Sequence, residues 1–268
     1  MFFQLCSIET TRLLRRWLPW VTASACVFFS GLSLHNFYSS NRAQLMSGEA
    51  KIPGLSFDLA TALDVAPLVS LPFLVLLAAN LMGNDYTQRT NQHWLARAPR
   101  HTGLLAKFAV LTGFTFLLQI LILLAGGGVG WYYKALTFNA FSLANVNNLA
   151  ILAAPFYMTL ASLPYLALAL LIAVITRSTF AAAAIGLAYT EFVEILLTTI
   201  FHGQKWMMWH PRSLATSVTY LLNGIGNRVV EFPDYLAQPD AAMPVLFVYT
   251  LVFLLAAVWL YRRQDVGG

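Results

Sequence analysis

GNDYTQRTNQHWLARAPRHTGLLAK, residues 83–107, is the longest polar, basic interruption between two strongly apolar runs of this 268-residue chain. It holds Asp85, Arg89, Arg97, Arg100 and Lys107, with Trp94 and Leu95 at its middle. The apolar run on each side is long enough to cross a bilayer core, for which about 20 residues suffice. The stretch therefore reads as a loop between two membrane spans, and it is expected to face the cytoplasm and receive force from a partner.

The composition agrees with that reading. Hydrophobic residues make up 59% of the chain, charged residues 10%, and the mean hydropathy is +0.67. A soluble domain would hold about 25% charged residues. The formal charge of +5 is scattered among loops rather than gathered on one face, so no nucleic-acid partner is expected. Cys6 and Cys26 lie in a basic segment and an apolar run respectively, and read as ordinary thiols.

Outward from the central loop, the predicted spans are 17–34, 63–82, 104–129, 149–175, 178–200 and 242–261. Residues 1–16 mix Phe2, Phe3, Leu13 and Leu14 with Glu9, Arg12, Arg15 and Arg16, the pattern of an amphipathic helix on a membrane surface. The plainer alternative is a basic flank that sets orientation. Thr22-Ala23-Ser24-Ala25-Cys26 resembles a lipoprotein cleavage box, but the apolar run continues through Val27, Phe28 and Phe29, so no cleavage is expected. Residues 35–60 read as a polar loop, Pro67 and Pro72 as a bend in the second span, and Gly126, Gly127 and Gly128 as backbone freedom near an interface. Trp131, Tyr132 and Tyr133 read as an aromatic belt, followed by a short loop with Lys134 as its one charge. Pro155 and Pro164 suggest a kink in the fourth span. Residues 202–240 are mixed and polar, with an amphipathic-looking piece over 213–230.

Ten of the 16 Lys and Arg residues fall in the N-terminal segment, the 83–107 loop, Arg177 and the C-terminus. Cytoplasmic loops hold the excess of such residues. The expectation is an all-α membrane protein: six transmembrane helices, N- and C-termini cytoplasmic, multi-pass in a cell membrane such as a bacterial inner membrane, and no inserted soluble domain.

Chemistry-bearing motifs are sparse. The glycine-rich run 126–130 ends in Trp131, without the Lys-Ser or Lys-Thr that would hold a nucleotide phosphate and magnesium. No Gly-x-Ser-x-Gly or His-Glu-x-x-His occurs, so the chain is expected not to be an enzyme, and any ATP hydrolysis belongs to another chain. His202, Met207, Met208 and His210 could in principle hold copper, but Trp206 and Trp209 beside them equally suit an interfacial segment, and no metal site is assigned. Glu191 and Glu194 lie i, i+3 on the fifth span, on one helix face and roughly 20–24 Å along the axis from Ser178. Carboxylates at that depth usually face a protein interior or a water cavity. They read either as a cation-attracting lining of a translocation path or as a structural pair bonded to neighbouring polar side chains.

With the loop placed between spans two and three, the stretch resembles the signature loop of ABC type-2 exporter permeases. The matching residues are Asp85, the pair Arg89-Thr90, the apolar doublet Trp94-Leu95, the turn Pro99-Arg100, and Lys107 opening the third span; Arg89 stands where the family has glycine. The N-terminal segment with Glu9 and Arg12 resembles the family's connecting helix, and 261–266, YRRQDV, its basic tail.

The resemblance implies a permease paired with a second copy or homologue, served by separate ABC ATPase subunits that bind the ATP and Mg, with no cofactor on this chain. Asp85, Arg89, Thr90, Trp94, Leu95, Arg97, Pro99 and Arg100 would form a cytoplasmic coupling helix docking into the ATPase, flanked by Glu9 and Arg12. Trp94 and Leu95 would be the apolar anchor and the arginines its rim. Hydrophobic drugs, modified peptides and lipid-linked glycans are candidate substrates. A second class of function fits the same loop: a membrane anchoring or assembly protein that recruits a cytoplasmic partner and transports nothing. An intramembrane enzyme of unrecognised type is a third.

Overall fold

The computed structural model describes residues 2–48, 52–87, 100–138, 148–221 and 232–264, and among them every regular element is helical. The elements are α1 (Phe2–Leu14), α2 (Trp17–Ser40), α3 (Arg42–Ser47), α4 (Leu55–Thr87), α5 (Arg100–Tyr132), α6 (Asn148–Thr176), α7 (Thr179–Leu187), α8 (Glu194–Ile200), α9 (Pro211–Thr219) and α10 (Pro239–Arg263). A π-helical stretch, Tyr133–Thr137, extends α5; another, Ala188–Val193, joins α7 to α8 without a break; a 3-10 turn, Lys205–Trp209, precedes α9.

Six of these helical rods are long and apolar enough to cross a membrane: Trp17–Ser40, Pro67–Tyr86, His101–Thr137, Ile151–Thr176, Thr179–Ile200 and Pro239–Arg263. Their outer surfaces expose large apolar side chains, among them Phe28, Leu124, Phe156, Phe180 and Leu255. Such a surface is costly in water and suits lipid, where helices satisfy their own backbone groups. The core is built mainly from α4, α5 and α6, with Leu74, Leu81, Leu111, Leu118, Leu166 and Leu170 all buried. A smaller cluster of Leu214, Val218, Ala237, Ala242 and Leu246 seats α9 against α10.

The rods share two ends. One, here the basal end, gathers α1, the end of α4, the start of α5, the end of α6, the start of α7 and Gln264 after α10. The distal end gathers Tyr38, the start of α4, the π-helical extension of α5, and α9. Arg177, the one described non-glycine residue with positive φ (52°), turns the chain between α6 and α7, and Ser178 Oγ then accepts the Ala181 amide as an N-cap.

Three sequence expectations change here. The 35–60 region is not a loop throughout: α2 runs to Ser40, α3 follows, and α4 starts at Leu55. Helix persists because Asp58, in the first turn of α4, is fully buried and paired with Lys134 and Tyr38. The interruption at 83–107 is shorter than its composition suggests, since α4 continues to Thr87 and α5 begins at Arg100. Two glycines of α5, Gly126 and Gly130, serve close packing, whereas Gly128 has open space around it. A Cβ on Gly126 would lie 2.5 Å from Ala62 Cβ, and one on Gly130 would overlap the Asp58 carboxylate.

Candidate functional site

At the basal end α1, α4 and α5 meet in a charged cluster. Lys107 Nζ lies 2.8 Å from Asp85 Oδ2 and 3.0 Å from Glu9 Oε1. Arg12 Nη1 lies 3.2 Å from Glu9 Oε1 and 3.8 Å from Asp85 Oδ1. Two cations thus face two carboxylates, and Lys107, Asp85 and Glu9 are nearly buried, with side chains 4%, 8% and 9% exposed. Charges removed from solvent to this degree must be paired, since each unpaired ion costs several kcal/mol. On α1 the buried face is that of Glu9 and Leu13, while Phe3 and Leu14 point outward.

Polar contacts continue around this end. Arg16 donates to Asn80 Oδ1 at 2.6 Å, Asn84 donates to the same oxygen at 3.1 Å, and Thr179 donates to Asn84 Oδ1 at 3.4 Å. Burial holds the Arg16 guanidinium below its ordinary value, against the opposing pull of Asp85 and Glu9. Tyr86 donates to Gln264 Oε1 at 2.8 Å, and Gln264 Nε2 donates to the Val174 carbonyl at 2.6 Å. Close approach accompanies these contacts, for a Cβ on Gly83 would lie 2.5 Å from Thr179 Cα.

The distal end has its own buried charge. Lys134 pairs with Asp58 Oδ2, while Tyr38 donates to Asp58 Oδ1 at 2.6 Å. Tyr133 stacks on Tyr38 with ring centroids 4.7 Å apart and shares a 2.6 Å hydrogen bond with His35 Nδ1. This ties α2, α4 and the end of α5 together. Lys134 is therefore a buried bracing group rather than a loop charge.

Between the two ends lies a cavity of about 260 Å³. Pro67, Leu68 and Leu71 of α4 form one wall, and Met158, Ala161, Ser162 and Tyr165 of α6 form another. Glu191 from the π-helical stretch and Arg212, Ala215, Thr216 and Thr219 of α9 complete the lining. Arg212 Nη1 donates to the Thr190 carbonyl at 3.2 Å. Glu194, only 1% exposed, sits within electrostatic reach of Arg212, Tyr165 and Tyr189. His210 caps α9: its Nδ1 accepts the Arg212 amide at 3.4 Å, and Pro211 fills the first turn. That bond leaves Nδ1 without a proton, so its 3.8 Å approach to Glu194 Oε1 is proximity between an acceptor and a carboxylate, not an ion pair. Burial first, and then Arg212, push His210 below its ordinary value, which agrees with the neutral ring.

Of the docking residues named from sequence, the structure brings Asp85, Glu9 and Arg12 together around Lys107. Arg100 is the first residue of α5. Arg89, Thr90, Trp94, Leu95, Arg97 and Pro99 lie outside the described residues. Glu191 lines the cavity and Glu194 is buried beside it. Sequence reasoning gave no role to Arg212 or Tyr165; each is an isolated polar residue whose partners lie far off in the chain. Among the described residues no group of three or more His, Cys, Asp or Glu is placed to hold a metal, and His202 packs against Tyr235 in a tilted arrangement with ring centroids 4.6 Å apart.

The sequence model of one protein family, described as "Protein of unknown function (DUF2705)", matches residues 26–267. Comparison with curated proteins gives no match.

Proposed function

The chain belongs to the DUF2705 family, and we propose that this member is the permease subunit of an ATP-driven ABC exporter. In this reading the basal end faces the cytoplasm of a bacterial inner membrane. Two permeases form the substrate path, and two ATPase subunits on separate chains supply ATP and Mg. Residues 88–99 and their flanks, with Trp94 and Leu95 as the anchor, form the coupling element that the ATPase grips.

The observation that carries the proposal is the Lys107 cluster. It fixes α1 to both helices from which residues 88–99 emerge, at 2.8 Å to Asp85 and 3.0 Å to Glu9. A connecting helix and a coupling segment that must move together need such a joint. A displacement of the segment then reaches α4 and α5 as a rigid-body push rather than dissipating in a flexible loop. Further support comes from the resemblance of the 83–107 stretch to the exporter loop and from the lack of a phosphate-binding motif.

Affinity purification of the full-length protein in mild detergent, with identification of the co-purifying chains, tests the proposal. An ATPase without spans of its own is expected, and Trp94→Ala should lose it while still inserting normally. Recovery of a non-ATPase partner instead would favour the anchoring role. Retention of the ATPase by Trp94→Ala would move the docking point elsewhere.

A further inference from the structure

We propose that the 260 Å³ cavity binds an amphipathic organic cation, its charged head at Glu191 and its apolar body against Leu68, Leu71 and Met158. The inference rests on the exporter reading above and names the class of substrate. Its basis is the charge inventory of the site. Glu191 and Arg212 are the charged residues of the lining, with the Glu194 carboxyl buried behind them. Arg212 is already engaged, donating to the Thr190 carbonyl at 3.2 Å and compensating buried Glu194. His210 adds no positive charge, because its Nδ1 accepts the Arg212 amide. Glu191 is left facing the cavity with no ion pair to any described residue.

Beside apolar walls, a cationic head that reaches the carboxylate gains more than the same contact would give in bulk water. An anion would be repelled by the Glu191 carboxylate, and a neutral ligand would leave Glu191 unmatched. The remaining lining suits the rest of such a molecule. Leu68, Leu71 and Met158 offer apolar area. A volume of about 260 Å³ admits one aromatic ring with a trimethylammonium head. Longer tails would extend beyond the cavity.

Isothermal titration calorimetry on the full-length protein in detergent tests the site with three probes of similar size. These are benzyltrimethylammonium, neutral N,N-dimethylbenzamide and anionic phenylmethanesulfonate. The ammonium should bind saturably, and the other two at least about tenfold more weakly, as expected for one charge-assisted contact. Glu191→Gln should weaken the ammonium to the level of the neutral probe. Thr219→Trp, which fills the cavity from its rim and leaves both carboxylates in place, should weaken all probes and serves if the first variant fails to fold. Equal binding of the neutral probe, preference for the anion, or an unchanged ammonium affinity in a folded Glu191→Gln protein would each overturn the site. Cation binding by a protein that recruits no ATPase would spare the site and defeat the exporter reading. ATPase recruitment without saturable cation binding would do the reverse.

Discussion

Lys107 Nζ stands 2.8 Å from Asp85 Oδ2, so the first turns of α5 are joined to the last turn of α4 directly across the ends of the 88–99 segment. The same ammonium reaches Glu9 of α1 at 3.0 Å. One nearly buried cation therefore holds three helices.

Removing that cation should be costly. Lys107→Met leaves Glu9 and Asp85 buried with one cation fewer to compensate them, and breaking a buried pair from one side costs about 3–5 kcal/mol. Thermal unfolding in detergent should show a marked fall for the single variant and a partial recovery for Lys107→Met combined with Asp85→Asn. Equal stability of the wild type and the single variant would mean that the pair is not a buried one.

The glycines of α5 should separate into two classes. Gly130→Ala drives a methyl group into the Asp58 carboxylate and should destabilise by about 1–3 kcal/mol, with loss of the Lys134 pair. Gly128 has nothing within 4 Å of the corresponding position, so Gly128→Ala should be neutral or stabilising by about 0.5–1 kcal/mol through helix propensity. Paired unfolding measurements on the two variants decide between packing and flexibility as the reason for the run.

His210 makes stability depend on mildly acidic pH. Its folded-state value is depressed below 6.5 by burial and by Arg212, so the unfolded chain binds a proton more readily than the folded one. Its contribution is fully present above about pH 6.5 and is lost progressively as pH falls through the lower folded value. His210→Asn keeps an N-cap acceptor without a titrating ring. The difference between variant and wild-type melting temperatures should grow in the variant's favour as pH is lowered below 6.5.

If the cavity lies on the exporter's path, Glu191→Gln should lower transport about tenfold with insertion unchanged, the scale of one lost charge-assisted contact. Glu194→Gln should act mainly on stability, because Glu194 is buried behind the lining rather than on it. Transport by purified variants in vesicles, alongside their melting temperatures, separates the two roles. Undiminished transport by Glu191→Gln would remove that carboxylate from the path.

The six apolar rods are legible from composition and hydropathy, because a span needs only length and an absence of charge. Pairings across the chain are not. Asp58 and Lys134 sit 76 residues apart, and nothing in one sequence says that they neutralise one another. The polar character of 35–60 ends α2 early and delays α4 in a reading of sequence alone, and Lys134 looks like a loop charge. The π-helical register at Ala188–Val193 has no residue signature either, yet it presents the Thr190 carbonyl to Arg212 and Glu191 to the cavity. By contrast Glu9, Arg12, Asp85 and Lys107 could each be named from the resemblance. Their meeting in one cluster needed the fold, since three helices converge to make it.

Helix α4 is anchored twice, by Asp58 to Lys134 and Tyr38 and by Asp85 to Lys107, with about 40 Å of helix between. A beam clamped at both ends yields where it is weakest. In α4 that place is Pro67 to Pro72, where two missing amide donors remove hydrogen bonds from the ladder. Pro67, Leu68 and Leu71 are also the α4 wall of the cavity. In the exporter reading, load applied at the basal clamp would be taken up as curvature beside the cavity, and the compliance of two prolines would set how far its wall gives.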